Sequence, residues 1–319
     1  MATLRERAGQ PSVARLAGMA WVVALLGWSA STLFVKAAHT NALVFSTWRL
    51  WMAVPPLGVI VLVRRRLGHV ARLRAPGVTR RNWSLVIVGA GALFVAGMVT
   101  TFAAINKTSL LDVTLIGALQ PVLIVGFAVA FLGERARASY LVRGVIAIGG
   151  ALLVAASSSS GHGAFVGDVL AVLGLVLSAA WFLYGRVMRD RYGVDPIGLM
   201  FGVFLSGALI MTVVTLLVRG SLAIGGPALG FAAATAVCGT TGHVLVVWAH
   251  RYLPTSVSAP LLLAEPPIVG LAAWACFGQQ PGALAAVGSV IVLGALWGVV
   301  RSPAVEHVED ELPDPGPPT

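Results

Sequence analysis

The chain has 319 residues, 58% of them hydrophobic and only 11% charged, with a mean hydropathy of +0.90. Soluble domains carry about 25% charged residues, so there is too little polar surface to coat a soluble exterior, and the apolar excess equally excludes a disordered chain. The net charge of +10 does not point to nucleic acid, because the basic residues sit in short gaps between apolar runs rather than in a basic and aromatic stripe.

Crossing about 30 Å of hydrocarbon takes about 20 apolar helical residues. On that rule ten spans are expected, at 16–35, 42–63, 83–105, 110–132, 141–156, 168–184, 197–218, 228–249, 255–277 and 283–300. The first follows Arg5, Arg7 and Arg15. It is too long for a signal-peptide core and ends at Val35-Lys36 without a small-x-small cleavage site, so it is expected to be a retained anchor. With residues 1–15 inside, 18 arginines and lysines fall in cytoplasmic gaps. Only Lys36, Lys107 and Arg219 fall outside, and Arg49 is left within the second span. This asymmetry predicts an even span count and both termini in the cytoplasm. Cys238 and Cys276 lie in apolar runs without a paired framework and are expected to be inert buried thiols.

An internal repeat underlies the spans. Ala118-Leu119-Gln120-Pro121 through Leu132-Gly133-Glu134-Arg135 recurs 145 positions later as Leu263-Ala264-Glu265-Pro266 through Phe277-Gly278-Gln279-Gln280. Ala104 then pairs with Ala249 and Gly149 with Gly294, and Ser29-Ala30 finds a counterpart in Ser178-Ala179. Five spans per repeat is an odd number, so the two copies enter the membrane from opposite sides. Such inverted repeats place a substrate site near the midplane where they meet. The expected organisation is a cytoplasmic segment 1–15, a five-helix repeat 16–156, an outer linker 157–167, a second repeat 168–300 and a disordered, acidic, proline-rich cytoplasmic tail 301–319.

Pro121 followed by Leu132-Gly133-Glu134-Arg135, the pair Gly149-Gly150 in the fifth span, and Arg49 after Phe45 in the second resemble the drug/metabolite transporter superfamily, EamA type. The resemblance covers about 20–300. It implies an all-α membrane protein of ten helices in two inverted repeats, acting as a secondary carrier in the cytoplasmic membrane. Such carriers export amino acids, metabolites or amphipathic drugs. Gln279 departs from the pattern, standing where the first half has Glu134.

No gap between spans has room for a nucleotide-binding domain, and neither lysine follows a glycine as a phosphate-binding loop requires. The rival class is a membrane-embedded enzyme acting on a lipid or small molecule. It would need a His-Glu-x-x-His zinc helix or clustered aspartates, and neither occurs. Ser158, Ser159 and Ser160 near His162 read as a flexible linker rather than a nucleophile with its base. A passive channel would want rings of like polar groups, which unrepeated charges do not form. No cofactor or metal is expected. The expected partners are a small-molecule substrate, the bilayer and protons as the candidate coupling ion, in a monomer or homodimer.

A charge within a span costs about 2.5–3.5 kcal/mol on insertion scales, so each asks for a reason. Glu265 is expected midway along the ninth span, where Pro266-Pro267 would kink the helix. It is the candidate proton-coupling carboxylate; the competing reading is a hydrogen-bonded structural acid. Gln120 is its repeat mate, either at the same central site or bonding two helices together. Arg49 can bind a substrate carboxylate, tie backbone carbonyls or pair with Asp112, and the structural readings are preferred. His243 is a candidate relay or a hydrogen-bonded structural residue. Trp28, Ser29 and Thr32 in the first span, and Ser178, Trp181 and Tyr184 in the sixth, offer flat apolar walls and small polar groups suited to an amphipathic or aromatic molecule. Trp51 and Trp83 read as interfacial belt or packing. Gly294 and Gly298 in the last span are expected to permit close helix contact, within the chain or between two copies.

Overall fold

The fold is taken from a computed structural model, which describes residues 11–68, 77–132, 138–158, 162–190, 192–249 and 263–301. The described residues are helical throughout, without a strand: α1 Pro11–Ala37, α2 Ala42–Arg66, α3 Arg80–Ile105, α4 Leu110–Gly117, α5 Gln120–Leu132, α6 Ala138–Ser158, α7 His162–Asp190, α8 Pro196–Arg219, α9 Gly226–Ala249, α10 Glu265–Phe277 and α11 Ala283–Arg301. Seven stretches are long and apolar enough to cross a membrane: α1, α2, α3, α4 with α5, α7, α8 and α9. The apolar parts of α6 and α11 are shorter, and α10 has 13 residues.

Helix starts follow local capping chemistry. Asn41, Thr79, Ser109 and Asp195 each sit in extended backbone and accept a first-turn N–H, satisfying a donor that the helix itself leaves orphaned. At the far end of α8, Gly220 adopts φ 70° and its N–H reaches Leu216 O, closing the helix in the left-handed conformation that glycine tolerates. Pro55 and Pro56 lie inside α2 on its exposed face.

Packing is dominated by pairs that join the two halves: α1 with α9, α3 with α7, α2 with α8, and α6 with α11. Exchanging the helices of the first half for their counterparts in the second maps α1·α9 onto α3·α7 and maps the other two pairs onto themselves, as a pseudo-two-fold requires. The α6·α11 contact is close because Gly150 faces the Gly288 carbonyl, where an added Cβ would lie 3.1 Å away. Gly294 instead has no atom within 4 Å of such a Cβ, and Gly298 O accepts from Arg143 Nη1 at 2.7 Å. The close contact expected of Gly298 is made, since an added Cβ there would lie 2.9 Å from Arg143 Cδ, whereas the one expected of Gly294 is not, and Gly150 and Gly288 supply the closest backbone approach between α6 and α11 instead. Large apolar side chains such as Leu217 (81% exposed) and Val290 (71%) cover the outside, as a lipid-facing surface demands.

Other expectations are corrected. α6 and α7 run through 157–158 and 162–167, so helix fills much of the expected linker, with His162 opening α7. The fourth span breaks into α4 and α5 instead of forming one helix. Cys276 is exposed rather than buried, Cys238 is half-buried, and both are free thiols. Glu134, Ser159, Ser160, residues 1–10 and residues 302–319 lie outside the described residues.

Candidate functional site

The α4–α5 break sits beside Gln120. α4 ends at Gly117, the Ala118 N–H turns back onto Ile116 O and Thr114 O, and α5 starts at Gln120. At the repeat-related position Leu263 and Ala264 form a turn and α10 starts at Glu265. Pro121 and the pair Pro266-Pro267 therefore occupy first turns, where a missing N–H would have had no helical partner. They open helices, whereas the sequence predicted a kink in mid-helix; the segment preceding Leu263 lies outside the described residues. The starts of α5 and α10 each present first-turn N–H groups and the positive end of a helix dipole. The Gln120 Nε2 is buried without a partner, and the half-buried Glu265 makes no hydrogen bond with any described residue. α4, which ends just before Gln120, packs on α10, which Glu265 opens.

A second polar centre lies where α1, α2, α3 and α9 meet. Arg49 is 8% exposed. Its Nη1 donates to the Met98 Sδ at 2.7 Å, and its guanidinium carbon is 5.5 Å from the Phe102 ring centre. Nη2 lies against Gly239, where an added Cβ would be 3.0 Å away, and Nε is buried without a partner. Among the described residues the guanidinium reaches neither a backbone carbonyl nor a carboxylate, so both structural partners expected for it are missing. Asp112 accepts instead from Thr108 Oγ1 at 3.1 Å, and the same hydroxyl is 2.7 Å from Asp168 Oδ1.

His243 Nδ1 donates to Gly239 O at 2.7 Å; a carbonyl only accepts, so Nδ1 carries the hydrogen and Nε2 is left as an acceptor. Its ring meets Trp28 edge to face at 5.2 Å, and Trp28 meets Trp21 likewise at 6.1 Å. The Trp28 Nε1 is buried without a partner and faces Gly242, where a Cβ would lie 2.6 Å from it. Gly239 and Gly242 thus make room for Arg49 and Trp28 on α9. Sequence reasoning singled out neither, although two glycines three apart beside an intramembrane histidine carried the signal.

The first-span cluster divides between these contacts. Ser29 is buried with an unpartnered hydroxyl, and Thr32 Oγ1 donates to Trp28 O at 3.2 Å on its own helix. The sixth-span cluster packs on α3: Trp181 meets Phe94 edge to face at 5.6 Å and stacks on Tyr184 at 5.9 Å, while the Tyr184 hydroxyl is buried without a partner. Ser178 faces Gly97 as Trp28 faces Gly242, and those glycines are 145 apart. The structural mate of Ser178 is therefore Trp28, one residue from the Ser29 expected. On the same offset Gly239 corresponds to Phe94 and His243 to Met98. One half carries a polar centre where the other carries stacked aromatics, with Phe94 lying 4.9 Å from Phe204.

The end of the bundle that carries the α1–α2 and α3–α4 turns holds two clefts, of about 560 Å³ bounded by Thr108, Asp112 and Gln279, and of about 440 Å³ bounded by Asn41, Asn106 and Lys107. Lys36 Nζ donates to Ile105 O at 2.7 Å and to Thr108 O at 3.3 Å, tying α1 to the end of α3. Gln279, the departure noted in the second repeat, accepts from the Leu110 N–H at 3.0 Å and so caps α4. Trp51 Nε1 donates to Thr212 Oγ1 at 2.9 Å at the exposed side of α2.

The profile of the EamA-like transporter family matches residues 16–156 and 165–301. A solved structure titled only as the crystal structure of a protein is 18% identical, covering 89% of this chain and 96% of its own at a TM-score of 0.59; the likeness is one of fold. No curated protein matches the chain. Two repeats that together fill most of the sequence are enough to decide the family: the chain belongs to the EamA-like transporters of the drug/metabolite transporter superfamily, and is a multi-pass membrane transporter of that type.

Proposed function

We propose that the chain is a secondary active carrier with ten spans and both termini in the cytoplasm, exporting small metabolites, amino acids or amphipathic drugs across the cytoplasmic membrane with protons as coupling ion. The observation that carries this reading is the pair of helix starts at Gln120 and Glu265, with α4 packed on α10. Interrupted helices at repeat-related positions are how carriers expose backbone groups and one ionisable side chain to a cavity at the midplane. Glu265 is the coupling group. A carboxylate held in low dielectric is costly to keep charged, which suits a group that takes up and releases a proton during the cycle.

The first experiment is a proteoliposome screen of amino acids, quaternary amines and dyes, with and without an imposed pH gradient. For a substrate found there, Glu265→Gln mimics the protonated form permanently. It is expected to exchange substrate across the membrane yet fail to accumulate it against a gradient. Proton-driven accumulation by Glu265→Gln at the wild-type level would leave Glu265 as packing between helices. Chemical turnover without movement of any compound would replace the carrier by an enzyme.

A further inference from the structure

The α1–α2–α3–α9 centre deepens the carrier reading, and its part in transport rests on that reading. We infer that Arg49 anchors a monoanionic group of the substrate, a carboxylate borne on an aromatic body. A buried guanidinium in a span ordinarily meets a counter-ion or a set of carbonyls, because an uncompensated charge in low dielectric is costly. Here one of its five N–H donors meets a thioether sulfur, a weak acceptor, and the Nε hydrogen meets nothing. A carboxylate matches the planar fork of the remaining donors in two parallel bonds. The Trp28 N–H, also buried and unpartnered, is a further donor in the same centre through its contact with His243.

The walls argue for the body of the molecule. Phe102 lies under the guanidinium, and Trp28 stands against His243. Flat apolar rings beside a charged anchor fit an aromatic acid better than a polar one. Charge selects the valence. Lys36 is occupied with carbonyls of Ile105 and Thr108, so among the described residues Arg49 is the one guanidinium or ammonium group in this centre, beside the titratable His243, and it matches one negative charge, not the two of a phosphate monoester. Gly239 sets the geometry. A Cβ there would press on Nη2 of the guanidinium while leaving its charge in place.

The test uses the full chain in lipid nanodiscs and three radiolabelled probes that share a ring: indole-3-acetate, its neutral isostere indole-3-acetamide, and the cation tryptamine. Wild type is expected to bind the acid at least about tenfold tighter than the amide, and tryptamine no tighter than the amide, a difference typical of a desolvated charge pair. Arg49→Met should bring the acid down to the affinity of the amide, leaving the amide unchanged. Gly239→Ala should weaken the acid severalfold and spare the amide, and it decides the matter should Arg49→Met fail to fold. Acid bound no tighter than amide by wild type, including no binding of either, overturns the proposal, as does an acid preference that survives Arg49→Met. Counterflow in liposomes separates the two readings. Arg49-dependent binding without movement would end the carrier reading and keep the anion site, whereas movement of the acid without dependence on Arg49 would do the reverse.

Discussion

At the scale of the residue, the absence of a side chain positions the polar centre. Gly242 leaves the space that the Trp28 indole fills, and Gly239 the space that the Arg49 guanidinium fills. Gly89, on the exposed face of α3, has nothing within 4 Å of an added Cβ. The same substitution should therefore have opposite consequences. Gly242→Ala forces the ring of Trp28 away from α9 at a cost of about 1–3 kcal/mol, the usual penalty of overpacking. Gly89→Ala is unopposed and gains up to about 1 kcal/mol of helix propensity. Thermal unfolding in detergent checks both, with Gly242→Ala melting lower than wild type and Gly89→Ala no lower. Equal behaviour of the two would mean that α1 and α9 do not meet at Trp28. Composition and hydropathy could not reveal these positions, because a glycine that seats a ring and one that faces lipid are the same letter in an apolar run. His243 and Arg49 were legible as polar groups out of place; the bond from His243 to the Gly239 carbonyl and the missing partner of Arg49 were not, since the first depends on the rotamer His243 takes along its own helix and the second on how α2 packs against its neighbours.

Among the elements, helix ends carry the polar work that a lipid-facing helix cannot do along its length. Asp195 serves two of them. Its Oδ2 accepts from the Gly198 N–H at 2.8 Å, capping α8, while both of its oxygens pair with Arg64 at the end of α2, at 2.9 and 3.2 Å. Asn41, the cap at the opposite end of the α2·α8 pair, is neutral and caps only its own helix. Asp195→Asn should keep the cap and lose the charge pairing; Asp195→Ala should lose both, with about 0.5–2 kcal/mol of further destabilisation for the cap alone. Combining each with Arg64→Ala resolves the two roles, because the effect of Asn should vanish in the Arg64→Ala background and that of Ala should shrink to the capping part. Gln279→Ala tests the cap on α4 in the same way, and it should loosen the α10–α11 turn from α4, read as faster amide exchange at Leu110. Most elements were legible from their apolar runs. The break of the fourth span was not. Leu110–Phe131 reads as one long apolar run with Asp112 near its start, and Pro121 reads equally as a kink or as a first-turn residue until the turn at Ala118 and Leu119 is seen.

For the whole molecule, the repeat offset and the packing agree in a way that neither shows alone. The recurrence at 145 residues relates sequence segments, and the cross-pairing of α1 with α9 and α3 with α7 relates surfaces, yet both describe one two-fold axis in the membrane plane. Such an axis has a consequence for charge. It carries the outer end of one repeat onto the inner end of the other, so a charge bias obeying the sequence symmetry would cancel between the two faces. On the proposed ten-span reading the bias does not cancel: 18 basic residues fall in the gaps on one side and three on the other. On that reading the asymmetry runs against the symmetry of the fold and is what would orient the protein. The topology then follows without reference to the substrate. A reporter fused after Thr319 and one inserted within the basic stretch between Arg66 and Arg80 should both report the cytoplasm, and one inserted at Ser159, between α6 and α7, should report the exterior. Reversing the charge of the 64–81 segment by Arg→Glu substitutions should produce a mixed orientation, since that segment holds the largest share of the bias. Reporters at Thr319 and Ser159 on the same face would break the even span count, and with it the inverted relation between the two repeats.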